Sequence, residues 1–265
     1  MPQTSAARDA VLADPGATLL ALDFDGTLAH IVQDPAEAFA HEHSVVALSR
    51  LGSKLGHLAI ITGRPVRQAL ELGGFAGVAG LERLVIFGQY GLERWDAATG
   101  EFVVPPRARA IAAVEALLPQ WLLDHDAEGV RVEDKGLAIA LHTRGLDPAI
   151  FDRIAPELAK LAAQHGLDVE PGRKVIELRT AVVDKGDVLR AYVEETGARH
   201  VIFGGDDLGD IPAFEAVGQL RATGITGLLL CSASAEQDAL VAMADVVLDG
   251  PDAVATWLGD LADEL

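Results

Sequence analysis

Asp23 and Asp25, in the string Asp23-Phe24-Asp25-Gly26-Thr27-Leu28, form the pair in this chain best suited to chemistry. They stand two apart at the end of an apolar run, ATLLALDF (17–24), that reads as a buried strand. Carboxylates two apart on a strand point the same way, and packing like charges together is costly unless a cation joins them. Magnesium is the expected cation, since it takes hard oxygen ligands and keeps several waters. One carboxylate can then attack phosphorus to give an aspartyl-phosphate, while the other serves first as acid for the leaving group and then as base for water. Gly26 lets the chain turn away and offer N–H groups to phosphoryl oxygens. The bland alternative for the same string is a turn or a helix cap.

A second acidic cluster, Gly204-Gly205-Asp206-Asp207-Leu208-Gly209-Asp210, also follows an apolar run and precedes a helical pattern. Asp206 is expected to bind the same metal, with Asp207 supporting it from behind. Asp210 either caps the following helix or supports the site. Thr62 ends another apolar run in Ile61-Thr62-Gly63-Arg64-Pro65, where it can hydrogen-bond a phosphate oxygen with helix N–H groups behind it. Lys185, in Asp184-Lys185-Gly186, can neutralise phosphoryl charge and separate the acids. Taken singly, a strand-end Thr is usually a cap and a Lys usually solvated, so the joint order of the four strings carries the argument.

Holding these residues together requires a sheet. The runs 17–24, HLAIIT (57–62), RLVIFG (83–88), RHVIFGG (199–205), TGLLLC (226–231) and ADVVL (244–248) read as strands buried on both faces. They alternate with helical patterns, among them 185–196, 210–217 and 250–264, which predicts a doubly wound α/β fold with ligands at the carboxyl ends of its strands. The middle of the chain reads differently: a helix at 107–124, paired strands VRVED and GLAIALHTR, a helix at 147–166 and a strand at 174–179. The expected organisation is a core of residues 1–104 and 181–265 with an inserted α+β cap at 105–180, and Pro105-Pro106 as a hinge.

Composition narrows the partners. The chain has 265 residues, half of them apolar, and a formal charge of -19, which disfavours nucleic acid and anionic membranes. An anionic substrate must be captured by a local cluster of cation, metal and N–H groups that overrides this field. A lone cysteine, Cys231, excludes an intrachain disulfide or a cysteine-based zinc site and reads as buried filler in a reducing compartment. The eight histidines are scattered, with no cluster suggesting zinc. Without a signal peptide or a long apolar run, a soluble cytoplasmic protein is expected.

Asp23-Phe24-Asp25-Gly26-Thr27-Leu28, Thr62, Lys185 and the GDDLGD string at 205–210 resemble, in order, the four motifs of the haloacid dehalogenase superfamily. The resemblance covers the core. It implies Asp23 as nucleophile, Asp25 as general acid and base, phosphate binding by Thr62 and Lys185, and magnesium held by Asp23, Asp206 and the backbone carbonyl of Asp25. Arg64, beside Thr62, joins the expected substrate contacts.

The insert resembles the cap of sugar phosphatases. Phe87-Gly88-Gln89-Tyr90-Gly91-Leu92-Glu93 is similar to the G-x-H/Y-G-x-E segment of trehalose-6-phosphate phosphatases, bringing Gln89 and Tyr90 into the expected site. Val132 to Gly136 and Ala140 to Arg144 resemble their E-x-K-G and H-x-R strand pair, and Gly172 to Arg179 their G-K-x-x-x-E stretch. Glu133, Lys135 and Glu177 are then implied sugar contacts, joined by Arg173 in the lysine register or by its neighbour Lys174. The last core motif departs from the family's G-D-D-x-T-D-E, with Gly209 and Ile211 replacing Thr and Glu. The implied reaction is magnesium-dependent hydrolysis of trehalose 6-phosphate to trehalose and phosphate, the last step of trehalose biosynthesis, with the cap closing over the sugar. Alternatives are a phosphatase for another sugar phosphate (sucrose, mannosyl-phosphoglycerate or hexose), a phosphomutase, and a non-catalytic sugar-phosphate sensor.

Overall fold

The computed structural model describes residues 2–172, 174–180, 183–233 and 238–265; Arg173, an expected sugar contact, lies outside them. The chain divides into two compact units, Met1–Val103 with Val183–Leu265, and Val104–Val182. In chain order the first unit runs through α1 (Pro2–Ala13), β1 (Thr18–Leu22), α2 (Glu42–Gly52), β2 (His57–Ile61), α3 (Val66–Gly73), β3 (Leu84–Gly88), β4 (Glu93–Asp96) and β5 (Phe102–Val103). The second unit holds α4 (Arg109–Asp124), β6 (Arg131–Asp134), β7 (Ala138–His142), α5 (Pro148–Gln164), β8 (Asp168–Gly172) and β9 (Val175–Arg179). The chain then returns to the first unit as α6 (Lys185–Thr196), β10 (His200–Gly205), α7 (Ile211–Ala222), β11 (Thr226–Ser232), α8 (Asp238–Met243), β12 (Val246–Leu248) and α9 (Gly250–Glu264).

The eight strands of the first unit order as β12-β11-β10-β1-β2-β3-β4-β5. The strands from β12 to β3 pair in parallel, and β4 and β5 add an antiparallel edge. Every residue of β1 is buried. Leu20 and Leu22 pack on one face with residues of α1, α2, α3 and α9, while Leu19 and Ala21 pack on the other with residues of α6, α7 and α8. A strand covered on both faces must be apolar throughout, which explains why its periodicity is a run rather than an alternation. The parallel strands stop at a common edge, so the segments following β1, β2 and β10 put Asp23, Thr62 and Asp206 at the same end of the sheet. The expected doubly wound core is present. The edge pair β4–β5 was not expected, because Glu93-Arg94-Trp95-Asp96 is mostly polar and only Glu93 and Trp95 of it are buried.

In the second unit, four antiparallel strands order as β6-β7-β9-β8. Strand β8 was not expected; it pairs with β9 in a hairpin. Val132, Leu141 and Ile176 stand in register across three strands, as do Ile139, Leu178 and Val169. Except for half-exposed Val132, this face packs on Ile111, Val114 and Leu118 of α4 and Ile154 and Leu158 of α5. Asp147 starts α5 by accepting a hydrogen bond from the Ala149 N–H at 3.0 Å. The opposite face carries the row Glu133, Ala140, Glu177 and Glu170, one residue from each strand. Among the described residues no helix is long and apolar enough to cross a membrane.

Candidate active site

Asp23 leaves β1 with its N–H donating to the Gly204 carbonyl at 2.9 Å, which ties it to β10. Its carboxylate is buried, and Oδ1 accepts from Lys185 Nζ at 2.5 Å. Lys185 is the first residue of α6 and is itself buried, with a second bond to Asp210 Oδ1 at 2.7 Å. Asp210 Oδ2 in turn accepts from the N–H groups of Asp206 (2.9 Å) and Asp207 (3.2 Å), holding the loop after β10 in place. Asp210 makes no side-chain cap on α7 itself; it completes, with Asp207, a capping box on the short turn before that helix and joins the turn to Lys185. The cap of the short turn Leu208–Asp210 comes from Asp207, whose Oδ1 accepts from the Gly209 N–H at 2.8 Å.

Asp23, Asp206 and Asp210 each offer a carboxylate oxygen within 4.8 Å of the others, and all three are buried. Burial, then the charges of Asp23 and Asp210, push Asp206 up to about 10. Asp23 rises well above the usual carboxylate range, chiefly from burial, although Lys185 opposes the rise. Burial works against the charge on Lys185, but Asp210 and Asp23 outweigh it and hold its pKa well above the ordinary lysine value. One ammonium cannot balance three buried acids if all are ionised, and a divalent cation taking oxygen ligands is the species that fits such a donor set. Gly26 supports the fit: a Cβ there would stand 2.0 Å from Asp206 Oδ2, and its φ of +78° disfavours any side chain. The Gly26 carbonyl is fixed from β11 by the Ser232 hydroxyl at 2.6 Å.

Asp25 faces a different partner. Arg64 donates to both of its oxygens, Nε to Oδ2 and Nη2 to Oδ1, each at 2.6 Å, and Arg64 Nη1 reaches the Pro35 carbonyl at 2.8 Å. Such a two-pronged grip fixes the carboxylate's plane as well as its position. Thr62 is buried, and its hydroxyl accepts from the Arg64 N–H at 3.1 Å. The loop after β3 locks onto this one: Gln89 N–H donates to the Arg64 carbonyl and Tyr90 N–H to that of Thr62, both at 2.9 Å. Gln89 is buried with its amide on Glu93 Oε1 at 2.8 Å, and Glu93 Oε2 accepts the first N–H of α3, from Val66, at 2.6 Å. The Tyr90 ring lies against Gly63, where a Cβ would meet its Cζ and hydroxyl at 2.9 Å, and comes near Gly209. Tyr90 thus packs on the Thr62 loop and comes near the loop after β10.

In the second unit, Glu133 Oε2 bonds His142 Nε2 at 2.7 Å, Lys135 bonds buried Glu177, and Arg179 bonds Glu170. The His142 hydrogen bond lowers the pKa of Glu133. Lys174 sits exposed in the β8–β9 turn at a φ of +57°, its carbonyl accepting from the Thr143 N–H at 2.8 Å. Neither Ser232 nor the part played by Glu93 is legible in the sequence. Their signals, a serine ending a buried strand and a glutamate buried in a polar strand, emerge only from tertiary packing. Cys231 is buried, and burial pushes its thiol up to about 11, as expected of filler.

A model of the trehalose-phosphatase family matches residues 21–244. The chain is 30% identical over 251 residues to a trehalose-phosphate phosphatase of Mycobacterium marinum, an alignment covering 92% of this chain and 61% of that protein. It therefore spans about three fifths of the length of that curated relative. Among solved structures, the C-terminal domain of a C. albicans trehalose-6-phosphate phosphatase superposes with a TM-score of 0.77 at 22% identity, over 98% of this chain and 96% of that one. A haloacid dehalogenase-like hydrolase from Bacteroides thetaiotaomicron gives 0.62 at 16% identity, over 92% and 99%.

Proposed function

Since this chain belongs to the trehalose-phosphatase family and has a haloacid dehalogenase-like fold, we infer that it hydrolyses trehalose 6-phosphate to trehalose and phosphate. The observation that carries the reading is the buried group of Asp23, Asp206 and Asp210 around Lys185 at the carboxyl ends of β1 and β10. Magnesium, held by Asp23, Asp206 and the Asp25 carbonyl with Asp207 alongside, would neutralise charge on the phosphoryl oxygens when bound.

The chain's own groups account for the rest. Asp23, anchored by its N–H and aimed by Lys185, attacks phosphorus in line, and the P–O bond to the sugar breaks. Asp25 gives a proton to the departing sugar oxygen. It then takes one from the water that attacks the aspartyl-phosphate, releasing phosphate and restoring Asp23. Arg64 orients Asp25, which must release one Arg64 N–H to reach the leaving oxygen. Thr62 and Lys185 hold phosphoryl oxygens, and Tyr90 lines the same end of the sheet.

Recognition of the sugar is assigned to the polar face of the second unit. There the small Ala138 and Ala140 lie beside Glu133, Lys135 and Glu177, whose paired charges offer both donors and acceptors to hydroxyls. Lys174, in the adjoining turn, is a further candidate contact. A reducing, cytoplasmic location suits the single buried thiol. The test is phosphate release from trehalose 6-phosphate, glucose 6-phosphate and sucrose 6-phosphate, with magnesium or EDTA, beside Asp23→Asn. Magnesium-dependent release confined to trehalose 6-phosphate and lost in the variant is expected. Release from another sugar would refute the substrate, and release that survives in Asp23→Asn would refute the nucleophile.

A further inference from the structure

The histidines that look scattered in the sequence are not all scattered in space. His30 follows the catalytic loop, His41 is the N-cap residue of α2, and Asp252 lies in the first turn of α9. Asp252 Oδ1 stands 3.0 Å from His30 Nε2 and 3.1 Å from His41 Nε2, and the three ligand atoms lie within 4.8 Å of one another. Four ligands about 2.0 Å from a tetrahedral zinc ion stand roughly 3.3 Å apart, so these spacings are close to two edges of such a site. Two imidazole nitrogens aimed at a single carboxylate oxygen are a convergence of donors on one point. A third imidazole, His43, stacks edge-on against His41 with ring centres 5.3 Å apart. The surrounding protein, at a formal charge of -19, attracts any cation.

We propose that His30, His41 and Asp252 bind a divalent transition metal of the zinc type, separate from the carboxylate site. Imidazole donors favour this class of ion over magnesium, whereas the all-oxygen set at Asp23 and Asp206 has the opposite preference. The metal would act as a clip. The segment carrying His30 is already pinned beside the catalytic loop: Gly26 N–H donates to the Ala29 carbonyl at 2.7 Å, and His41 N–H donates to that of Leu28 at 2.7 Å. A metal joining His30 and His41 to Asp252 would tie this stretch to α9 as well. The exposed side of the site, where His30 and Asp252 meet solvent, leaves room for water as a fourth ligand.

The test uses the whole protein in excess magnesium, which fills the carboxylate site, titrated with Co²⁺ as a spectroscopic stand-in for zinc. One equivalent giving the intense visible bands of a tetrahedral nitrogen–oxygen site is expected, with displacement by Zn²⁺. The bands should vanish in His30→Gln and in His41→Gln, and Asp252→Asn should weaken binding at least tenfold. Zinc should raise the melting temperature of the wild-type protein and not of the histidine variants, by mass action on the folded state. Only the weak bands of octahedral cobalt, or strong bands that survive both histidine substitutions, would overturn the proposal and leave the cluster as an ordinary hydrogen-bonded pair of histidines on an aspartate.

Discussion

Lys185 answers two carboxylates at once, so its removal has two separable effects. Lys185→Met would leave Asp23 and Asp210 buried without their cation, and breaking a buried pair from one side costs about 3–5 kcal/mol. Urea denaturation should record that loss alongside the loss of phosphate release. Asp25→Asn should behave differently, lowering kcat by about 10²–10⁴-fold, the usual yield of a proton-transfer group, with a smaller loss of stability than Lys185→Met because Asp25 is a third exposed to water and the amide keeps one acceptor for Arg64. Arg64→Ala should cost about 10²-fold through misplacement of Asp25; an unchanged rate would show that Arg64 does not orient it. The meeting of Asp23, Asp206 and Lys185 was legible because each is adjacent to an apolar run or a helix start that fixes its place in the sheet. The grip of Arg64 on Asp25 was not, since it joins two loops 39 residues apart and depends on their exact path. For the same reason the bond that Lys185 donates to Asp210, 25 residues away, could not be read from an acidic helix start.

The proposed role of the second unit, recognition apart from chemistry, can be tested on its own. Glu177→Gln weakens the pair with Lys135 on the polar sheet face, and should raise KM for trehalose 6-phosphate by about 10-fold or more, the scale of one charge-assisted hydrogen bond. Its activity on a small aryl phosphate, which has no sugar to recognise, should hold. Equal losses on both substrates would remove that face from sugar recognition. The Glu133–His142 bond predicts a pH effect on stability. It depresses Glu133 in the folded state, so the stabilisation is present above the ordinary glutamate value near 4.5 and is lost as pH falls through the depressed one. The melting temperature of the wild-type protein should therefore fall more steeply below about pH 4.5 than that of His142→Gln. Long apolar runs and strong helical periods made most elements readable; β4, β5 and β8 were hidden because strands at or beside a sheet edge can be short and polar.

For the whole molecule, the charge of -19 sets a repulsive background for a phosphate ester. Raising ionic strength from low to physiological values should lower KM for the anionic substrate, because distant acids are screened over about 8 Å while the buried cluster is not. A KM that climbs with salt would mean that local attraction dominates the encounter. EDTA should abolish phosphate release and leave the far-UV circular dichroism unchanged, since both units have their own apolar cores. The pairing of β1 with β10 at the centre of the sheet also puts a clock on biosynthesis. Asp23 meets Lys185 only after 162 further residues have been made. At about 5–20 residues per second the ribosome takes roughly ten to thirty seconds over that stretch. Throughout that interval β1 has one of its two neighbours missing and its apolar side chains half covered. Until Lys185 and β10 have been made the carboxylate cluster cannot assemble, and it is in that interval that this strand is most open to aggregation and to chaperones.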